Sequence, residues 1–111
     1  MGKHPNDRLQ GTLDLLVLQS LARRGAMHGY SITMHIQSVA GDVLRVEEGS
    51  LYPALHRMAQ EGWISAEWGT TENKRRARYY SITAAGMKQL EAEHKRWNEL
   101  TNAVSRVLQF A

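Results

Sequence analysis

The sequence predicts a mainly α-helical fold with a small β-hairpin: three helices, two short strands and a long fourth helix. Three observations carry this. Apolar residues recur at spacings of three and four through most of the 111 residues, the period of an amphipathic helix. Over residues 64–68, and again over 78–83, that period gives way to alternation, the period of a strand. The helical period then returns and holds as a heptad almost to the last residue.

Each element has its own signal. Over residues 8–24, Leu9, Leu13, Leu16, Val17 and Leu21 share one helical face. Gly25 ends that helix, and Arg23 and Arg24 suit the negative end of its dipole. A second helix begins near His28-Gly29 and carries Tyr30, Ile32, Ile36 and Val39, and Gly41-Asp42 supplies a turn. A third runs from about Glu48 to Glu61 and closes at Gly62. Pro53 sits early in it, where a missing N–H is tolerated if it falls among the unpaired first-turn donors. Ile64, Ala66 and Trp68 then alternate with polar residues as one strand, 69–77 reads as a polar turn, and Arg78, Tyr80 and Ile82 alternate as the return strand. Thr83 is the expected N-cap of the last helix, which runs over about 84–109, roughly 37 Å.

The composition sets the limits. One domain is expected, with a modest core and little room for a deep catalytic cleft. With no cysteine among 111 residues, a disulfide framework, thiolate zinc and a thiol nucleophile are all excluded. No apolar run approaches the roughly 18 residues that span a bilayer, and the first ten residues, MGKHPNDRLQ, hold no signal-peptide core. The expectation is a soluble, cytoplasmic chain with no membrane association. The net charge is +3, yet Lys74, Arg75, Arg76 and Arg78 place four cations in five positions, more than the whole net charge. Basic character so concentrated marks a polyanion site, although a plain solvated charge run has the same composition.

Helix, helix, helix, hairpin is the order of a winged helix-turn-helix, here residues 1–83, with 84–111 as a C-terminal dimerisation helix. In the third helix Leu51, Leu55 and Met58 share the inner face, while Tyr52, Pro53, His56 and Gln60 lie opposite, free to enter a DNA major groove. The hairpin would bring Lys74, Arg75, Arg76 and Arg78 to flanking phosphates or to the minor groove. Two plainer readings stand beside these: Tyr52 as a half-buried aromatic against the hairpin, and His56 as an inert surface histidine.

In the last helix Met87, Leu90, His94, Trp97, Thr101, Val104 and Leu108 form a heptad stripe, widened by Leu100, Val107 and Phe110. A helix this long projects beyond a small domain, and a second copy of the chain is the natural cover for its stripe. Packing on the chain's own first helix accounts for part of the stripe only. A homodimer would present two reading helices to a pseudo-palindromic operator.

At this point the residues carry a resemblance. GTLDLLVL at 11–18, His28-Gly29-Tyr30, EGSLYPALHRM at 48–58, Gly62-Trp63-Ile64 and RRARYYSITAAG at 75–86 together resemble the PadR family of bacterial transcriptional regulators, over about residues 9–108. Ser50 stands where the motif usually has Thr, and Met58 where it usually has Leu. The resemblance implies a dimeric repressor of the compact subclass, with a single C-terminal helix exchanging contacts between subunits. It also implies that Tyr52 and its helix neighbours, Ser50 and Arg57 among them, face DNA, and that 74–78 is the wing. Some compact relatives stack flat aromatic ligands between paired tryptophans, so Trp97, with His94 one turn earlier, is a candidate site for a small aromatic effector. Plain interface packing is the competing reading for Trp97.

Enzyme readings find little support. No HExxH, Walker A or G-x-S-x-G pattern occurs, so no catalytic residue and no cofactor are expected. Glu91 and His94 form an isolated E-x-x-H without the duplicate that a di-iron bundle requires. His28 and His35 lie about 10 Å apart in rise, too far to share a metal, so no metal site is expected. The stronger competitor is a winged helix that binds proteins rather than a specific DNA sequence. Four cations in the wing argue against it.

Overall fold

The computed structural model describes the backbone of residues 7–110 and the side chains of residues 11–110. The side chain of Leu9, assigned above to the first helical face, lies outside the described residues, as does the leader at 1–6. The elements are α1 (Asp7–Arg24), β1 (Met27–His28), α2 (Gly29–Ala40), α3 (Glu48–Gln60), β2 (Ile64–Thr70), β3 (Arg76–Ile82) and α4 (Ala84–Phe110). The fold is mainly helical, with a small antiparallel sheet in the order β1-β3-β2.

The core lies where α1, α2 and α3 meet the base of the sheet. Its fully buried side chains are Val17, Leu18, Leu21, Ile32, Leu51, Leu55 and Met58. In α3 the predicted inner face of Leu51, Leu55 and Met58 is buried, joined by Ala54. In α1 the buried set is wider than one stripe. Leu15 and Leu18 are buried with Val17 and Leu21, whereas Leu13 and Leu16 are half-covered against the core. The cause is position: α1 packs against α2, α3, β3 and α4 at once. A helix surrounded in this way needs apolar residues around most of its circumference.

Three local expectations are corrected. The hairpin turn is only 71–75, because both strands run farther than their apolar alternation and the ladder continues through Gly69↔Ala77 to Thr70↔Arg76. Arg76 therefore joins Arg78 in the return strand, and only Lys74 and Arg75 of the cluster sit at the tip. Pro53 lies in the second turn of α3, past the first-turn donors, so the exposed Gly49 loses the i+4 amide that would meet its carbonyl. The sheet also has a third strand, β1, which pairs Met27 with Tyr80 and His28 with Tyr79.

The last helix starts as expected. The Thr83 hydroxyl accepts from the Gly86 amide at 3.0 Å and donates to the carbonyls of Gly62 at 2.6 Å and Trp63 at 3.0 Å. One side chain thus caps α4 and ties it to the start of β2. From there α4 passes over α1, buries Leu90 and Glu93, and continues outward, giving a molecule of 55 × 30 × 27 Å.

Candidate nucleic-acid interface

The outer face of α3 is solvent-exposed at Ser50, Tyr52, Pro53, His56 and Gln60. Arg57 is placed differently. Its Nη2 donates to Asp14 Oδ1 at 2.6 Å, and the side chain is two-thirds covered. Asp14 is buried on α1, and desolvation raises its pKa above the usual 3.8, although Arg57 pulls it back. Arg57 therefore anchors α3 to α1 while the other α3 candidates point outward.

Tyr52 rests on the start of α2. An ideal Cβ on Gly29 would come within 2.7 Å of the Tyr52 ring, so only glycine leaves the ring its seat. Partial burial, with the Glu48 carboxylate adding, pushes the phenol above its ordinary value of 10.0 and keeps it a neutral hydrogen-bonding group. The neighbouring residues explain the rest of the His28-Gly29-Tyr30 motif. His28 Nδ1 accepts from the Ser31 amide at 3.4 Å as the N-cap of α2, and its ring meets Tyr79 edge-on at 5.3 Å between centroids. Tyr30 is exposed. The sequence places His28 at the start of the second helix and in the family motif; its capping role follows from its extended conformation just before that helix.

Between the N-terminal half of α2, Tyr52 and the hairpin lies an open groove of about 1360 Å³. Tyr30, Met34, His35 and Tyr52 line one side, and Trp68, Arg75, Arg76 and Arg78 the other. Arg76 and Arg78 both stack on Trp68, with guanidinium carbons 4.6 and 5.6 Å from the ring centroid. Lys74 is exposed at the hairpin tip, in a left-handed conformation at φ 61. The structure thus brings Tyr52 and three of the four wing cations around one concavity. Tyr30, Met34, His35 and Trp68 join them, although the sequence reading placed none of the four at the DNA-facing site.

The transcriptional regulator PadR-like family model matches residues 17–92, which takes in α2, α3, the whole hairpin and the start of α4. The chain belongs to the PadR family. It is a winged-helix transcriptional regulator, and membership implies binding to DNA. A transcriptional regulator of Mycobacterium tuberculosis is 32% identical over 78 residues, which cover 70% of this chain and 69% of that protein. The negative transcriptional regulator PadR of Bacillus subtilis is 27% identical over 70 residues, 63% of this chain but only 38% of the longer protein. Among solved structures, a transcriptional regulator from Clostridium thermocellum superposes with a TM-score of 0.80 at 28% identity, covering 90% of this chain and 96% of that one. Family and neighbours alike are regulators rather than enzymes.

The other sequence candidates of this PadR-family chain lie on α4. Leu90 is buried in the chain's own core, and His94 Nε2 is hydrogen-bonded to Gln19 Oε1 of α1 at 2.7 Å. Beyond them Trp97, Val104 and Leu108 are exposed, along with Leu100, Val107 and Phe110, and Thr101 is half-covered. Met87, in the first turn, is exposed as well. No described helix is long and apolar enough to cross a membrane, and no three His, Asp or Glu among the described residues are placed to hold a metal ion.

Proposed function

We propose that this chain is a homodimeric repressor which reads a pseudo-palindromic operator through α3 and grips flanking phosphates through the wing. The carrying observation is the shared groove: Tyr52 of α3 and Arg75, Arg76 and Arg78 of the hairpin face one concavity. In this reading Ser50, Tyr52, Pro53, His56 and Gln60 meet base edges and nearby backbone, Lys74 joins the wing cations, and Arg57 acts from beneath α3. Negative regulation by the Bacillus subtilis relative supports repression.

Dimerisation belongs to the same proposal. Residues 1–83 form the reading head and 84–111 the dimerisation helix. Trp97, Leu100, Val104, Val107, Leu108 and Phe110 are a row of large apolar side chains left in water on the outer part of α4. Two copies of that row facing each other would remove it from solvent. Trp97, exposed one turn beyond the His94–Gln19 contact, is where a small aromatic effector would enter such an interface and shift the two reading heads.

The test is anisotropy titration of the DNA upstream of the chain's own coding sequence, at two salt concentrations, with sedimentation equilibrium alongside. Wild type should sediment as a dimer and bind that duplex more tightly than a random one. Lys74/Arg75/Arg76→Ala should flatten the salt dependence by about one unit of slope per lost phosphate contact. A dimer that binds every duplex and the random control equally weakly would favour the protein-binding winged helix instead.

A further inference from the structure

We propose that Trp68 is a positioning residue of the wing: its indole holds the guanidiniums of Arg76 and Arg78 as a preformed clamp for DNA backbone phosphate. The proposal rests on the DNA-binding reading and assigns a role to a residue outside the basic cluster.

The hairpin register creates the arrangement. Trp68 is the direct cross-strand partner of Arg78, and Arg76 follows two residues earlier on the same face of β3. Nearer the body of the molecule that face carries Ile64, Ala66, Tyr80 and Ile82 against the core. Past Ala66 the same face leaves the core and overhangs the groove, where it turns aromatic and cationic. Trp68 is 60% exposed, so core packing does not explain a tryptophan there. What it touches are the two guanidiniums, at 4.6 and 5.6 Å.

Two arginines two residues apart on one strand face repel each other, and among the described residues neither forms an ion pair with a carboxylate. The indole quadrupole offsets that repulsion. Stacking covers the flat face of a guanidinium and leaves its in-plane N–H groups free, and those are the donors that grip a phosphate in a bidentate manner. Ring contact also restricts two long side chains before DNA arrives. A pair of stacked cations without a carboxylate is thus set for an external anion, and its place on the groove wall makes that anion the phosphodiester of the strand beside α3.

The test uses the full-length protein with a duplex of random sequence and with the upstream duplex, so it does not depend on knowing the operator. Trp68→Leu should weaken binding to both duplexes about three- to tenfold while leaving the melting temperature nearly unchanged. Trp68→Phe, which keeps a ring, should recover most of the loss. Arg76→Ala/Arg78→Ala should lower the salt slope by about two units, and Trp68→Leu should add nothing in that background. An equal loss from Trp68→Leu in the two backgrounds, or no loss in the wild-type background, overturns the clamp. If Trp68→Leu unfolds, the wild-type arginine Nε–Hε resonances decide: the ring should shift those of Arg76 and Arg78 upfield and added duplex should move them again, whereas resonances indifferent to DNA overturn the proposal. Wild type that binds neither duplex in a salt-dependent way would overturn the DNA-binding reading itself, and the clamp with it.

Discussion

Gly29 and Tyr52 are in close contact across the α2–α3 pair: a Cβ on residue 29 would stand 2.7 Å from Cε1 and the hydroxyl of the α3 tyrosine and 2.9 Å from its Cζ. The first residue of α2 therefore sets the angle at which Tyr52 enters the groove. Gly29→Ala has opposing effects on stability. Alanine favours the helix by up to about 1 kcal/mol, while the half-exposed ring can swing outward to make room. We expect a melting temperature within a few degrees of wild type but roughly tenfold weaker binding to the upstream duplex. Stability and affinity falling together would show instead that the contact serves folding alone.

Gly86 makes the contrasting case, because its obstacle is backbone. A Cβ there would sit 2.0 Å from the Trp63 carbonyl oxygen and 2.7 Å from the Ile82 side chain. The same turn holds the Thr83 cap, so α4 cannot slide away without losing those hydrogen bonds. Gly86→Ala should cost about 3 kcal/mol or more and lower the melting temperature by over about 10 °C in a thermal circular-dichroism scan. A nearly unchanged melt would mean that the start of α4 is far looser than this contact implies.

These two glycines show where sequence reading reached and where it stopped. The inner and outer faces of α3 were legible because Leu51, Leu55 and Met58 recur at the helical period around polar neighbours. In α1 the apolar residues run nearly all round, so periodicity could not pick out Leu15 and Leu18. The strands were read too short at the hairpin tip because apolar alternation signals a face turned to the core, and the ladder from Gly69 to Thr70 continues past the core, where the Tyr79 ring lies over Gly69 instead. Two-residue β1 is too short to show any period. The Asp14–Arg57 bond spans 43 positions, and the seat of Tyr52 on Gly29 and the stacking on Trp68 likewise depend on register between separate elements. No local pattern encodes such pairs, although the family motif had already marked Gly29, Tyr52 and Arg57 together.

The buried Asp14 gives stability a pH dependence of definite sign. Burial raises its folded pKa above 3.8, with the Glu93 charge adding to the rise and Arg57 opposing it. The folded state therefore holds the proton more tightly than the unfolded one. Asp14's contribution to stability is greatest below pH 3.8 and is lost as pH rises through the higher folded value. Melting curves of wild type minus Asp14→Asn should show that advantage shrinking with rising pH, and a difference growing with pH would reverse the assignment. Arg57→Ala, which strands the carboxylate, should cost about 1–3 kcal/mol near neutrality and less in acid.

Leu90 and Leu108 share one heptad stripe but differ in what covers them. Leu90 is 6% exposed within its own chain and Leu108 is 81% exposed. Removing a buried leucine leaves a cavity in the monomer, so Leu90→Ala should cost about 2–4 kcal/mol at any protein concentration. Removing Leu108 leaves the monomer core intact and takes apolar area only from the proposed partner contact. Its effect should therefore appear as a lower melting temperature that changes less on dilution than that of wild type, because a weaker dimer draws less stability from mass action. Melting Leu108→Ala, Leu90→Ala and wild type at two concentrations separates the cases. If the wild-type melting temperature does not move on dilution while sedimentation shows a monomer, the outer stripe is not a dimer contact.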